Sequence, residues 1–264
     1  MKLISEYNKQ FKIDKFTKGE DLLVIAGPCS IESEEQILDV ARRLVQLNVH
    51  YMRSSFYKPR TSPYSFQGIG EVGIEIIKKV KSTYNINIVS ELVNVKDLPD
   101  YVKYVDVIQI GARNMQNFEL LKAVGKVKKP VLLKRGFGNT IEEWLNAAEY
   151  IMVNGNDNII LCERGIKTFE TSTRNTLDIS SVGVVNKLTK LPIIVDPSHA
   201  SGRSDLVSSL SLASVAAGSD GLMIEVHPSP SDSISDKDQA ISFDELSKIL
   251  DKSRKIHDLV CEKK

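Results

Sequence analysis

Eight short apolar segments recur along this chain, and each of them ends in glycine, proline or polar residues. They are residues 22–28, 49–56, 86–92, 106–112, 130–136, 158–165, 192–198 and 220–228. Buried strands of a parallel sheet are nearly continuous apolar runs, because helices cover both faces of the sheet. The pattern therefore predicts eight parallel strands.

Segments with a helical spacing of apolar residues alternate with these strands. The clearest are residues 33–47, 72–84, 117–127, 140–155 and 241–259. Eight strand–helix units in 264 residues favour an α/β fold of the (β/α)8 TIM barrel type over an open doubly wound sheet. The first strand also lacks the Gly-x-Gly-x-x-Gly turn that the open-sheet alternative would carry. We expect residues 1–264 to form a single domain, with a short N-terminal extension (1–20) and a barrel (21–264).

Composition excludes several classes of protein. The net charge is +1 at pH 7, so no global basic field indicates binding to nucleic acid or to a membrane surface. No apolar run approaches the ~18 residues of a membrane span, and the N-terminus lacks the apolar core of a signal peptide. Three scattered cysteines are too few for a disulfide framework. We therefore expect a cytoplasmic protein in which any anion site arises from local clustering of cations.

Cationic residues follow the predicted strands at their carboxyl ends, where a barrel places its active site. They are Arg53, Lys58, Arg60, Arg113, Lys134, Arg135 and Arg164. The segment Lys58-Pro59-Arg60-Thr61-Ser62 adds two hydroxyls to two of these cations, a combination that binds phosphate or carboxylate oxygens. Solvated or ion-paired Arg and Lys side chains also end many strands. In a nearly neutral protein, however, so many cations on one rim predict a site for anionic ligands.

A metal site is a second interpretation of the same strand ends. In a closed barrel the eighth strand pairs with the first and the seventh flanks the eighth, so Cys29, His199 and Glu225 approach each other. A thiolate, an imidazole and a carboxylate suit a divalent ion such as Zn, Fe(II), Co or Mn. The alternatives are that Cys29 is a small buried hydrophobic residue and His199 an ordinary hydrogen-bonding histidine.

The fourth ligand has several candidates. The loop after the eighth strand offers Asp232, Asp236 and Asp238. His227 lies two residues past Glu225, so the strand period directs both side chains to one side and His227 can compete as a ligand. His257 lies near the C-terminus, and we expect it to be exposed.

Taken in order, the strand-end motifs resemble those of the 3-deoxy-D-arabino-heptulosonate 7-phosphate (DAHP) synthase family, in its short type I-beta branch without a regulatory domain. The matching segments are AGPCS, KPRTSPYSFQG, QIGARNMQN, LLKRG, CERG, TRNTLD, DPSHASGR and IEVHP. The resemblance implies a (β/α)8 barrel and a metal-dependent transferase. Its reaction would condense phosphoenolpyruvate with erythrose 4-phosphate and water, the first step of the shikimate pathway. The resemblance also implies that the protein is a homo-oligomer, specifically a homotetramer.

The resemblance further implies roles for residues at matching motif positions. The metal ligands would be Cys29, His199, Glu225 and Asp236. The phosphoenolpyruvate site would consist of Arg53, Lys58, Arg113, Lys134 and Arg164, with Lys134, Arg53 and Lys58 as catalytic groups. The phosphate of the sugar substrate would bind Arg60, Thr61 and Ser62. One departure is Ser54-Ser55, where the family has Gly-Gly, because serine restricts the backbone more than glycine does.

Three other functions remain open at this point. A lysine at a strand end suits a Schiff-base aldolase acting through Lys134, and a barrel that binds sugar phosphates need not be an enzyme. The related 3-deoxy-D-manno-octulosonate 8-phosphate synthases use a five-carbon sugar phosphate. They typically carry Lys-Ala-Asn-Arg-Ser-Ser where this chain has Lys58-Pro59-Arg60-Thr61-Ser62, and their metal-independent members have Asn in place of Cys29. Both differences favour the DAHP synthase family.

Substitution of Arg60 by alanine tests the assignment of the sugar phosphate. The loss of a charge-assisted contact of roughly 1.5–3 kcal/mol should raise the KM for erythrose 4-phosphate about ten- to a hundredfold. The KM for phosphoenolpyruvate should change far less, and steady-state kinetics with each substrate varied in turn measure both values. A larger effect on phosphoenolpyruvate would contradict the assignment.

Overall fold

The N-terminal residues form a helix and a small hairpin ahead of the main sheet. The computed structural model describes residues 1–58, 62, 64 and 66–261. Helix α1 (Lys2–Glu6) is followed by strands β1 (Lys12–Ile13) and β2 (Phe16–Thr17), which pair antiparallel. The Glu149 carboxylate accepts hydrogen bonds from the first backbone amides of α1, and the Lys18 ammonium lies 3.1 Å from the Asp220 carboxylate. These contacts attach the N-terminal segment to the rest of the fold.

Eight parallel strands then form a closed barrel. They are β3 (Leu23–Gly27), β4 (Tyr51–Arg53), β5 (Asn87–Glu91), β6 (Val107–Ile110), β7 (Val131–Lys134), β8 (Ile159–Glu163), β9 (Ile193–Val195) and β10 (Gly221–Glu225). Each strand pairs with the next one along the chain, and β10 closes the barrel on β3. Every strand lies inside one of the eight predicted apolar segments, so the predicted (β/α)8 TIM barrel is confirmed.

A helix follows each barrel strand. The helices are α2 (Glu34–Gln46), α3 (Val72–Thr83), α4 (Leu98–Tyr104), α5 (Phe118–Gly125), α6 (Ile141–Val153), α7 (Ser180–Leu188), α8 (Pro197–Ser201), α9 (Ser204–Ala216) and α10 (Phe243–Cys261). Both α8 and α9 follow β9. The five residues of α8 form about one and a half helical turns next to the end of β9. The five clearest predictions of helix correspond to α2, α3, α5, α6 and α10.

Local sequence signals fix where these helices begin. The Ser33 side chain accepts a hydrogen bond from the Gln36 amide at the start of α2, and acidic residues fill the first turn. Thr140 and Glu143 form a reciprocal capping box at the start of α6. Each cap satisfies backbone amides that have no partner inside the helix, so the loops end where the caps lie.

The barrel strands are almost completely buried, as the apolar runs predicted. Trp144, the single tryptophan of the chain, is fully buried on α6 and donates its indole hydrogen to the Leu133 carbonyl at 3.1 Å. This bond joins α6 to β7 directly.

His257 is also buried, so the expectation that it is exposed was wrong. The residue follows Leu246, Leu250 and Ser253 on the inward face of α10, and helical spacing accounts for its position.

Within the described residues, no helix combines the length and the apolar character that crossing a bilayer requires.

Trp144→Ala should lower the free energy of unfolding by roughly 3–5 kcal/mol, because it leaves a large cavity between α6 and the barrel. The indole hydrogen bond to the Leu133 carbonyl is lost at the same time. Tyr150→Ala, on the same helix but 41% exposed, is the matched control and should have a smaller effect. Denaturant unfolding followed by circular dichroism compares the two variants, and equal destabilisation would contradict this account of Trp144.

Candidate active site

The carboxyl ends of the barrel strands surround a cavity of about 500 Å³. The cations that line it are Arg53, Lys58, Arg113, Lys134, Arg164, Lys167 and Arg174. Glu91 and Asp236 are the carboxylates among the described lining residues, so the cavity carries a large excess of positive charge. Ser62 also lines the cavity, whereas Arg60 and Thr61 lie outside the described residues. Every described cation that the sequence analysis placed on this rim lines the cavity, with the exception of Arg135.

Arg135 contributes to the site indirectly. Its guanidinium lies 2.9 Å from Glu163 and 2.8 Å from Asp178, away from the cavity lining. The other oxygen of Glu163 accepts a hydrogen bond from the Gly165 amide at 2.6 Å. This buried ion pair therefore supports the turn that carries Arg164 into the cavity.

Four potential metal ligands meet at one side of the cavity. Their donor atoms, from Cys29, His199, Glu225 and Asp236, all lie within 4.8 Å of one another. His199 Nε2 is 3.7 Å from Cys29 Sγ and 3.6 Å from Glu225 Oε2. A single ion bound by four donors requires such mutual proximity. Of the three aspartates that the loop offered, Asp236 is the one in the group.

His227 does not join this group. Its Nε2 lies 3.3 Å from a Glu32 carboxylate oxygen, and its Nδ1 is 2.6 Å from the Ser229 carbonyl oxygen. Gln36 also contacts the ring, at 2.8 Å. Both ring nitrogens are therefore engaged away from the four donors. The prediction that His227 could compete as a ligand is not supported, because the chain bends after β10 and strand alternation no longer applies.

The protonation chemistry of Cys29 fits a cation site. Burial, reinforced by the nearby Glu225 carboxylate, raises the pKa of the Cys29 thiol to about 11. Arg53 and Lys58 oppose this shift: an Arg53 nitrogen lies 3.2 Å from Sγ, and the Lys58 ammonium contacts both Sγ and the Asp236 carboxylate. A buried thiol beside two carboxylates becomes a thiolate when a cation binds next to it. The donors therefore fit a borderline divalent metal ion.

Asp196 orients both His199 and Lys134. This buried residue caps α8 by accepting a hydrogen bond from the His199 amide at 2.9 Å, and Pro197 occupies the first helical position. One Asp196 oxygen also lies 2.9 Å from His199 Nδ1 and accepts a 2.5 Å hydrogen bond from Lys134 Nζ. With Nδ1 bound in this way, His199 presents Nε2 to the other three donors.

The charges around Asp196 favour this arrangement. Burial opposes its ionisation, but the hydrogen bond with His199 and the charge of Lys134 hold the pKa of the Asp196 carboxyl well below its usual range. Burial lowers the pKa of His199 well below its usual value, so the imidazole is neutral. A neutral imidazole keeps the lone pair that a metal ligand needs.

An aromatic ring gathers three cations at the other side of the cavity. The Arg164 guanidinium lies 4.6 Å from the centre of the Phe137 ring, with Arg113 at 5.4 Å and the Lys167 ammonium at 5.7 Å. Arg164 donates one hydrogen bond to the His199 carbonyl at 3.0 Å, while its buried NH1 has no partner within the described structure. The ring face partly offsets the repulsion between these cations, and the unpaired guanidinium nitrogen indicates a site for an anion.

Glu91 is a functional candidate that the sequence did not single out. Its carboxylate lines the cavity and accepts a hydrogen bond from Gln109 at 3.3 Å. Burial raises the pKa of Glu91, and the Lys134 and Lys58 ammonium groups oppose the shift. A Cβ atom at Gly111 would lie 1.9 Å from a Glu91 oxygen, so a side chain at this position would displace the Glu91 carboxylate. The carboxylate is thus packed tightly in place.

Sequence reasoning also missed several other residues of the lining. They are Gln109, Phe137, Lys167, Arg174 and Asn175. Gln109, Arg174 and Asn175 lie in two of the matching motifs, which was a usable signal. Phe137 and Lys167 simply follow strands β7 and β8, and nothing in the sequence separates them from ordinary loop residues.

The Ser54-Ser55 departure is accommodated without strain. Neither serine has a positive φ angle, and the Ser54 amide donates a 2.9 Å hydrogen bond to the Val89 carbonyl. The Ser55 hydroxyl accepts a hydrogen bond from the Glu91 amide at 3.4 Å. The backbone here does not need the freedom of glycine.

Comparison with known proteins agrees with this geometry. The sequence profile described as the "DAHP synthetase I family" matches residues 6–262. This chain belongs to that family. The eight ordered motifs had indicated the same DAHP synthase family, and that prediction is confirmed.

Among curated relatives, a phospho-2-dehydro-3-deoxyheptonate aldolase from Thermotoga maritima is 52% identical over 235 residues. The match covers 89% of this chain and 70% of the relative. A 2-dehydro-3-deoxyphosphooctonate aldolase from Syntrophotalea carbinolica is 32% identical, with 89% of this chain and 90% of the relative covered. A crystal structure of the Thermotoga DAHP synthase has a TM-score of 0.92 at 48% identity, and covers 97% of this chain and 75% of that chain.

Asp196→Asn should weaken metal binding and phosphoenolpyruvate binding together, because one carboxylate orients both His199 and Lys134. Loss of a carboxylate behind a ligating histidine typically lowers metal affinity about 10- to 100-fold. Chelator competition measures the metal dissociation constant, and steady-state kinetics give the KM for phosphoenolpyruvate. Asp106→Asn, whose carboxylate pairs with Lys81 outside the cavity lining, is the control. Unchanged metal affinity in Asp196→Asn would refute this role.

Proposed function

We propose that this chain condenses phosphoenolpyruvate with erythrose 4-phosphate and water to give 3-deoxy-D-arabino-heptulosonate 7-phosphate and inorganic phosphate, the first step of the shikimate pathway. The observation that carries the proposal is a single cavity of about 500 Å³ that is lined by seven cationic side chains and lies beside a cluster of four metal-type donors. Two phosphates and a carboxylate must share the site, which accounts for the number of cations. Membership of the DAHP synthetase I family supports the same reaction.

Phosphoenolpyruvate is assigned to the cations between the aromatic ring and the metal-type donors. Arg113 and Arg164 lie over the Phe137 ring, and the free NH1 of Arg164 suits a phosphate oxygen. Lys134 and Arg53, on the side of the four donors, suit the carboxylate. This division gives each anionic group of the substrate its own pair of cations.

Erythrose 4-phosphate is assigned to the segment after β4. Ser62 lines the cavity, and Arg60 and Thr61 are proposed as its phosphate-binding neighbours on the family resemblance. Lys58 connects this segment to the four donors through its contacts with Cys29 and Asp236. The aldehyde end of the sugar would therefore lie near those donors and its phosphate near the mouth of the cavity.

A divalent ion, Mn, Fe(II), Co or Zn, is proposed as the cofactor, held by Cys29, His199, Glu225 and Asp236. When bound there, such an ion supplies Lewis acidity to the aldehyde oxygen of the sugar. Asp196 keeps the His199 imidazole oriented for this role, and Arg53 keeps both Cys29 and Glu225 in place through contacts of 3.2 and 3.3 Å. The protein thus prepares the donor geometry with buried ion pairs.

The remaining steps use groups of the chain. The C2–C3 π electrons of phosphoenolpyruvate form the bond from C3 to the aldehyde carbon as the aldehyde C=O π bond opens. Water then adds its oxygen at C2, and the C2–O bond to phosphate breaks. Of the two protons that water gives up, one leaves with phosphate and the other replaces the proton that Lys134 donates. Arg113 and Arg164 would neutralise the charge that grows on the leaving phosphate. Lys134, whose Nζ donates a hydrogen bond to Asp196, is the proposed proton donor to the former aldehyde oxygen. A Schiff-base aldolase would instead need Lys134 Nζ free to attack a carbonyl carbon, whereas here it is bound to Asp196.

The quaternary and cellular context rests on the sequence and on the family resemblance. We propose a homotetramer that acts in the cytoplasm, with residues 1–264 of each subunit forming one domain. Nucleic acid is not a proposed partner, because the net charge is +1 and the cations noted above gather inside the cavity. Membrane is not a proposed partner either.

An octulosonate-type reaction is the second candidate, because relatives described as 2-dehydro-3-deoxyphosphooctonate aldolases are 30–32% identical to this chain. Product formation from phosphoenolpyruvate with erythrose 4-phosphate or with arabinose 5-phosphate separates the two reactions. A clear preference for arabinose 5-phosphate would overturn the proposed function in favour of the second candidate.

Removal of the metal should abolish turnover. A strong chelator is expected to stop the consumption of phosphoenolpyruvate, and Mn, Co or Fe(II) should restore it. Cys29→Ala should lose most of the activity with its circular dichroism spectrum unchanged, because a donor of the cluster is missing. Cys261→Ala, half-buried on α10, is the matched control and should keep full activity. Full activity of Cys29→Ala in metal-free buffer would show that the cluster binds no essential ion.

A further inference from the structure

Gln239 lies directly behind one of the four metal-type donors. Its side chain is completely buried in the loop between β10 and α10. The amide nitrogen donates a hydrogen bond to Glu225 Oε2 at 2.6 Å. The same oxygen lies 3.3 Å from an Arg53 nitrogen and 3.6 Å from His199 Nε2, so the Gln239 contact is the shortest of the three. Gln239 therefore constrains which way the Glu225 carboxylate faces.

Arg174 fixes the orientation of the Gln239 amide. Arg174 NH1 donates a 2.5 Å hydrogen bond to the amide oxygen of Gln239. A guanidinium offers donors and no acceptor, so the oxygen of the amide must face Arg174 and its nitrogen must face Glu225. Without Arg174, rotation of the amide by half a turn would direct its oxygen at the carboxylate and repel it.

Gln239 also stabilises the turn that carries the fourth donor. Its backbone amide donates to the Asp236 carbonyl at 3.1 Å, and Asp236 has a left-handed φ of 56°. Such a conformation costs energy for a residue with a side chain, so the turn depends on the bonds around it. Gln239 thus bonds to the side chain of Glu225 and to the backbone of Asp236.

From these contacts we infer that Gln239 is a positioning residue for the Glu225 carboxylate, and that Arg174 acts on the carboxylate through Gln239. The inference rests on the proposed metal site and deepens it. Arg174 comes from the segment between β8 and α7, and its side chain is 40% exposed and lines the cavity. The relay therefore connects two loops at the mouth of the barrel to one ligand.

Metal affinity tests the role of Gln239. The Mn²⁺ dissociation constant is measured by chelator competition, and Gln239→Leu should weaken it about 10- to 100-fold, the usual effect of losing a bond behind a ligand. The thermal midpoint in excess chelator should match that of the unmodified protein if the fold is intact. Gln36→Leu is the control, because Gln36 makes a comparable side-chain bond to His227, outside the four donors. It should bind Mn²⁺ as the unmodified protein does.

A double-mutant cycle tests the relay itself. Arg174→Met should weaken Mn²⁺ binding in the unmodified background and have no further effect in the Gln239→Leu background. Equal effects in both backgrounds would mean that Arg174 acts directly on Asp236, whose carboxylate lies 3.7 Å away, and would overturn the relay. If Gln239→Leu does not fold, unchanged affinity in Arg174→Met alone overturns it.

The outcomes separate this inference from the function proposed above. Tight Mn²⁺ binding by the unmodified protein that Gln239→Leu leaves unchanged overturns the role of Gln239 and leaves the metal site standing. Absence of Mn²⁺ binding by the unmodified protein overturns the metal site, and the role of Gln239 with it.

Discussion

The parallel pairing of β10 with β3 closes the barrel, and its register sets Glu225 opposite Gly27. Two residues after Gly27 the chain reaches Cys29, so this one pairing brings a carboxylate and a thiol from opposite ends of the sequence into contact range. A Cβ atom at Gly27 would lie 2.4 Å from the Arg53 carbonyl oxygen, and the residue has a φ of 143°. Glycine therefore lets β4 approach closely enough for Arg53 to reach both groups. The catalytic arrangement proposed here depends on this closure.

Charge balance organises the buried residues around the cavity. Buried carboxylates and cations would each be costly alone, because a low-dielectric interior penalises an isolated charge. Here Asp196 pairs with Lys134, Glu225 with Arg53, and Glu163 with Arg135. Each pair compensates part of the desolvation cost, and each carboxylate also holds a cation or an imidazole in a defined direction. These ion pairs therefore position side chains more than they contribute to the free energy of unfolding.

The positive charges around Phe137 are compensated in a different way. Arg113, Arg164 and Lys167 lie around one aromatic ring, which provides a weaker compensation of charge than a carboxylate would. The buried NH1 of Arg164, which has no hydrogen-bond partner among the described residues, is available to a ligand. The cavity is therefore divided into a side where the protein neutralises its own charges and a side where an anionic substrate is expected to do so.

The sequence by itself determined the barrel, because eight apolar runs of strand length alternate with helices and leave few other ways to bury them. It also pointed to Cys29, His199 and Glu225, since strand order in a closed barrel makes their strand ends neighbours. Tertiary structure decided the rest. Residue spacing left Asp232, Asp236 and Asp238 open as the fourth donor, the family resemblance favoured Asp236, and the path of the loop brings Asp236 into the cluster. His227 lies outside the cluster because the chain bends after β10. The contacts of Asp196, Gln239 and Arg174 depend on where side chains from distant segments meet. Strand order specifies which segments are neighbours, whereas the position of a side-chain oxygen within a few tenths of an ångström depends on packing that no local pattern records.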